Sequence, residues 1–229
     1  MRDESFRPPL TLRGRYVTLV PLRTDHHDAI LHAFRDPAVG RYLSHPPTPT
    51  ADGVTEYIAN LLRFQEEGHE LPFVVLLRPD DRLVGMTRYL NIYRPDDAVE
   101  LGTWIDSELW RSPVNTEIKY LLLRHAFEEE RAHRVVLQTD LRNERSQRAI
   151  ARLGAVREGV LRDDRVVYDG YRRSSVVYSI LAGEWPAVRR RLEAALDRPW
   201  RSPPEASAEG RPLSGTGAPA SRGTPGSPQ

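Results

Sequence analysis

The sequence predicts a mixed α/β domain in which a central twisted mixed sheet is flanked by helices. Three observations lead there. Strand-like runs at residues 72–77, 83–92 and 99–105 are separated by Pro79-Asp80-Asp81 and Pro95-Asp96-Asp97, turn chemistry that suits an antiparallel meander. A helical run at 116–130 and a β-branched strand at 135–139 follow, so residues 99–140 form a βαβ unit with a parallel pair and a right-handed crossover. A short helix and a strand hairpin then complete the sheet.

The elements follow in chain order. Residues 15–22 (RYVTLVPL) alternate as a strand. Residues 25–34 read as a helix, with Thr24 or Asp25 as its N-cap. A loop at 46–49 precedes a second helix at 54–67, whose stripe is Val54, Tyr57, Ile58, Leu61 and Leu62. The crossover helix sets Ile118, Leu121, Leu122, His125 and Ala126 at helical spacing. Residues 146–153 form a short helix ended by Gly154 at its C′ position. Strands at 156–161 and near 174–181 and a helix at 184–196 close the domain. In such an architecture a pocket is expected at the carboxyl end of the parallel strands, beside the crossover helix.

Composition bounds the rest. The chain has 229 residues, 39% hydrophobic and 28% charged, enough for one globular domain with a sizeable core. From Asp197 onward the prolines Pro199, Pro203, Pro204, Pro212, Pro219, Pro225 and Pro228 alternate with glycine, serine and alanine. Such a segment buries too little apolar surface to offset its ordering entropy, so residues 197–229 are expected to be disordered. Residues 1–11 are expected to be a flexible N-terminus and 12–196 the folded domain. The N-terminus lacks an apolar signal-peptide core and no run is long enough to span a bilayer, which points to the cytoplasm and away from a membrane. With no cysteine, disulfides, a cysteine nucleophile and thiolate metal sites are excluded, and no metal site is expected. Thirty-three basic residues against 32 acidic ones leave a net charge of +1 and no global field for nucleic acid. Every base but Lys119 is arginine.

Four segments together carry a resemblance: Leu83-Val84-Gly85; Val99-Glu100-Leu101-Gly102-Thr103-Trp104-Ile105; WRSPVNTE from Trp110 to Glu117, running into LLLRHAFEE; and Thr139 to Ser146 (TDLRNERS), followed by Ala149-Ile150 and Leu153-Gly154-Ala155. Over about residues 12–196 the chain resembles the GNAT superfamily of N-acyltransferases, and within it the Rim-type branch that includes ribosomal-protein N-acetyltransferases. The resemblance implies acetyl-CoA as cosubstrate and direct attack of an amine on the thioester in a ternary complex. The acceptor is left open between a protein N-terminal α-amine and an amine-bearing small molecule, and the protein between monomer and homodimer. The alternative is a GNAT-like sensor that binds acyl-CoA without turnover.

The resemblance also implies roles for residues. The loop Arg111-Ser112-Pro113-Val114-Asn115-Thr116, at the start of the crossover helix, would hold the CoA pyrophosphate on backbone amides and the positive end of the helix dipole. The family's usual glycines are absent: Pro113 and Asn115 stand in this turn. Proline has no N–H but suits the first helical position, so Ser112 is expected as N-cap, with the amides of Val114, Asn115 and Thr116 aimed at the ligand and Arg111 adding charge. Glu100 takes the place of the general base, and burial on its strand would raise its pKa. Gly102 is expected to mark a bulge that opens the parallel strands, leaving the backbones of Trp104 and Ile105 to pair with the pantetheine arm. Asn143 would hydrogen-bond the same arm. Ser146 would either cap its helix or protonate the departing thiolate. The acceptor pocket should draw on residues 36–55 and the C-terminal hairpin, where the lack of an acidic cluster argues against a polycation.

Overall fold

The computed structural model describes residues 6–200. One eight-stranded sheet runs in the order β1-β2-β3-β4-β5-β6-β8-β7. Its strands are β1 (Leu12–Arg13), β2 (Val17–Pro21), β3 (Leu71–Leu77), β4 (Arg82–Tyr93), β5 (Ala98–Ile105), β6 (Arg134–Asp140), β7 (Val156–Val166) and β8 (Arg172–Leu181). All neighbours pair antiparallel except β5 and β6, the parallel pair that the βαβ reading requires. The helices are α1 (His27–Ala33), α2 (Pro37–Gly40), α3 (Ala51–Glu66), α4 (Val114–Arg124), α5 (Glu144–Leu153) and α6 (Trp185–Leu196).

The sheet separates two cores. On one face Ile30 of α1 and Val54, Ile58 and Leu61 of α3 pack over Val74, Met86 and Trp104. On the other, Ile118, Leu121 and Leu122 of α4 pack with Ile150 and Leu153 of α5 and Val188 and Leu192 of α6. Strand alternation assigns the faces: Leu101 and Ile105 belong to the α4 side, Trp104 to the α3 side.

Several expectations are corrected. Residues 24–26 form a 3₁₀ turn instead of the first turn of α1, and Arg23 before it makes no side-chain cap bond to that turn. Helix α2 was not foreseen; four residues are too few to show a period, but Asp36 caps it, accepting from the Ala38 amide. Helix α4 ends in a π-helical turn over His125–Glu129. The β4–β5 register runs through Gly102 unbroken and shifts only between Leu90 and Tyr93, so no bulge sits at Gly102. The N-terminal stretch is packed from Phe6, which is buried edge-on against Tyr89. At the other end Trp200 meets the Tyr16 ring edge-on at 5.3 Å. The rest of the expected disordered tail, residues 201–229, and residues 1–5 lie outside the described residues. Among the described residues no helix is long and apolar enough to cross a membrane.

One buried carboxylate ties the N-terminal hairpin to the crossover helix. Glu117 accepts from the amides of Arg15 at 2.8 Å, Tyr16 at 2.7 Å and Val17 at 2.8 Å. These donors lie at the turn where β1 gives way to β2, so the side chain does for the hairpin what a third strand would otherwise do. Gly14 is required beside it: a Cβ there would meet the Glu117 carboxylate at 2.5 Å. Glu117→Gln places an NH₂ against these donors and is expected to cost about 2–4 kcal/mol, read as a lowered denaturant midpoint at unchanged m-value. Gly14→Ala should destabilise in the same assay, and a variant as stable as the parent would show that the carboxylate is free to move aside.

Candidate active site

The cleft arises where two halves of the sheet part. The parallel pairing of β5 with β6 covers only Ala98 to Leu101, opposite Arg134 to Leu137. Beyond Leu101, β5 stays with β4 as far as Ile105, while β6 stays with β8 as far as Asp140. A cleft of about 650 Å³ opens between them, lined by residues 102–105 on one side and 137–139 on the other. The Asp106 amide donates to Val84 on β4. Alternation along an extended strand therefore turns the backbones of Gly102 and Trp104 toward β4, and those of Thr103 and Ile105 toward the opening. Of the two residues expected to offer their backbones, Ile105 faces the cleft and Trp104 does not; Thr103, which sequence reasoning passed over, takes its place. The Ile105 carbonyl already accepts from Trp110 Nε1 at 3.3 Å, which leaves its amide for the cleft.

At one end of the cleft lies the start of α4. Arg111, Ser112 and Asn115 line the cleft, while Val114 and Thr116 do not. The helix begins at Val114 with Pro113 as its flanking residue, one position later than expected, but the serine cap is made all the same. Ser112 Oγ accepts from the Val114 amide at 3.2 Å and donates to the Leu109 carbonyl at 2.6 Å. The Val114 amide is thus engaged, and the first-turn amides of Asn115 and Thr116 keep no described acceptor. Arg111 has φ +69°, a backbone region that favours glycine and is held here by a residue with a side chain. Trp110 carries the Arg145 guanidinium 3.1 Å from its ring centroid.

Asn143 and Ser146 stand on the opposite wall. Asn143 caps α5: its Oδ1 accepts from the Ser146 amide at 3.1 Å. Ser146 is therefore not the cap, which corrects that alternative, and its hydroxyl has no described partner. Both residues line the cleft.

Glu100 sits on the α3 side of β5, near the end of the parallel pairing. Its Oε2 accepts from Asn91 Nδ2 at 2.8 Å and from Gln138 Nε2 at 3.3 Å, and its Oε1 has no described donor. Burial raises its pKa; the Asn91 hydrogen bond, then Arg165, Arg173 and Arg88, pull the other way.

On the α4 side is a group the sequence marked only by its rarity. Lys119 is 5% exposed, lines the cleft and has no carboxylate within ion-pair distance among the described residues. Its Nζ donates to Thr103 Oγ1 at 2.6 Å; Thr103 shares a 2.7 Å contact with Thr87 Oγ1, which donates to the Gly102 carbonyl at 2.9 Å. Burial lowers the Lys119 pKa to about 7. An arginine here would stay charged at any working pH, whereas a lysine can shed its proton.

These features meet known proteins at the level of family. Residues 17–156 match the Acetyltransferase (GNAT) domain. The protein belongs to the GNAT acetyltransferase family. A solved chain from T. thermophilus, named as an acetyltransferase, superposes with a TM-score of 0.76 at 45% identity, covering 82% of this chain and 98% of that one. A GCN5-related N-acetyltransferase from Brucella melitensis gives 0.74 at 26% identity, covering 82% of this chain and 86% of that one. YdaF of Bacillus subtilis (strain 168), named as a ribosomal N-acetyltransferase, is 33% identical over 106 residues, 46% of this chain. That match spans 57% of YdaF's own length.

Because Lys119 is the single lysine, isotope-labelled lysine gives one side-chain signal. We expect it to titrate near 7 and not near 10.5. The folded state then binds fewer protons than the unfolded state between those values, so stability should rise with pH from about 7 upward. Lys119→Met should flatten that rise and leave the protein more stable than the parent at pH 6. A signal titrating at the ordinary lysine value would sink both expectations.

Proposed function

We propose that the protein transfers an acetyl group from acetyl-CoA to a primary amine, by direct attack within a ternary complex. The observation that carries this reading is the parting of β5 and β6 after Leu101, which opens a strand edge beside Glu100. The residues present fit a CoA thioester. A free strand edge at Thr103 and Ile105 and the Asn143 amide suit an amide-bearing arm, and the Asn115 amide with Arg111 suits a pyrophosphate. Acetyl-CoA supplies an activated acyl carbon and a thiolate leaving group.

The chain's residues supply the rest. Glu100, with Oε1 open and its pKa raised by burial, takes the proton from an ammonium acceptor, directly or through water, since only the neutral amine attacks. Backbone N–H groups on the β5 edge stabilise the charge that develops on the carbonyl oxygen. The Ser146 hydroxyl, unengaged and in the cleft, is the group for protonating the thiolate. With no cysteine in the chain, the acyl group cannot rest on an enzyme thiol. The likeness to YdaF supports a protein N-terminal α-amine as one acceptor class, a small-molecule amine being the other. The same cleft could serve a sensor that binds acyl-CoA without turnover, and Glu100 is the residue that separates the two.

Glu100→Gln is expected to lower kcat by about 10²–10⁴ while leaving acetyl-CoA affinity unchanged in calorimetric titration. In the parent, kcat/KM should fall on acidification with a midpoint above 4.5, the ordinary glutamate value, and the variant should lose that limb. A variant with parental turnover would remove Glu100 as base; a parent that binds acetyl-CoA but releases no thiol with any amine would favour the sensor. Arg111→Ala should weaken CoA binding about tenfold, in line with loss of one charge-assisted contact.

A further inference from the structure

The end of the cleft away from α4 is built from arginines around one carboxylate. Among the described residues lining the cleft, Glu100 is the sole acid, while Arg88, Arg165 and Arg173 crowd its side of β5. Two of these arginines already have partners: Arg88 meets Glu70 at 3.2 Å and Arg165 meets Asp164 at 2.9 Å.

Arg173 does not. It is 5% exposed, yet no described carboxylate lies within ion-pair distance of it. Its Nε donates to Ser175 Oγ at 3.0 Å and Nη1 to Ser44 Oγ at 3.0 Å; no described group accepts from Nη2. The carboxylates that act on it from further off are Asp140 and Asp164, already bonded to Arg142 and Arg165, and then Glu100. Burying a guanidinium against hydroxyls alone is costly, and an anion joining it would offset that cost. The surroundings are held in place: the Ser44 carbonyl accepts from the Tyr168 amide, which pins the loop before α3 to the β7–β8 hairpin.

Spacing joins this group to the base. Gln138 donates through Nε2 to Glu100 at 3.3 Å and accepts through Oε1 from Arg165 Nη2 at 3.2 Å. Glu100 and the Arg165 guanidinium are thus one side-chain amide apart, which is the scale of a single amino acid.

We propose that this end of the cleft binds a carboxylate on the acceptor, held by Arg173 and Arg165, so that the acceptor is an amine carrying a nearby carboxylate. The amine half of this inference rests on the acyltransferase reading; the carboxylate half rests on the arginines alone. A polyamine or other polycation meets seven arginines and one glutamate along this cleft and is disfavoured. The carboxylate has two sources, the α-carboxylate of a free amino acid or an acidic side chain next to a peptide's N-terminus.

The test is calorimetric titration of the full chain, with and without CoA, using two matched series. One sets free amino acids against their α-amides; the other sets tetrapeptide amides with glutamate at the second position against the same peptides with glutamine. The carboxylate member should bind at least about tenfold tighter in one series, and the series in which it does names the source. Arg165→Gln should remove most of that preference with CoA affinity unchanged; Arg173→Gln should do the same where it folds. Equal binding of matched members, binding of neither, or a preference intact in Arg165→Gln would overturn the proposal. Failure to bind CoA would count against the acyltransferase reading, and the carboxylate preference would still be scored without it.

Discussion

The site depends on one short parallel pairing. Four residue pairs join β5 to β6, and after Leu101 each strand follows its antiparallel neighbour instead. Antiparallel pairing is slightly more stable per residue, so where the two half-sheets diverge the parallel seam is the one that opens. The opening needs no bulge and no glycine kink. It exposes backbone groups at Thr103 and Ile105 that a continued sheet would have satisfied, and unpaired backbone in a cleft calls for a ligand with amides of its own. Everything proposed for the chemistry is arranged about that gap: Glu100 at its closed end on one face, Lys119 and Thr103 on the other, Asn143 and Ser146 across it.

Helix α4 carries two buried charges two residues apart, and their surroundings treat them in opposite ways. Glu117 meets three backbone amides, so its charge is matched and the N-terminal hairpin is fixed to the helix. Lys119 meets one threonine hydroxyl, so its charge is disfavoured and its proton becomes mobile near neutrality. Among 33 lysines and arginines the single lysine stands at the cleft, where, unlike an arginine, it can deprotonate. The same helix therefore serves as an anchor at one residue and as a titrating wall of the site two residues on.

Local chemistry determined much of this in advance. Period-two and helical patterns, the turn triplets at Pro79 and Pro95, and Gly154 at φ +104° as a helix terminator set the element order and the βαβ unit, because each depends on residues a few positions apart. The resemblance to the GNAT superfamily singled out Glu100, Ile105, Arg111, Ser112, Asn115, Asn143 and Ser146, and the fold brings all seven to one cleft. What the tertiary structure decided was the set of contacts made across long separations: which backbones of β5 face the gap, that Gln138 links Glu100 to Arg165, and that Lys119 and Arg173 are buried without carboxylates. None of these leaves a periodic trace in the chain, since hydrogen-bond partners 16 to 129 residues apart are chosen by packing and desolvation after the sheet has formed.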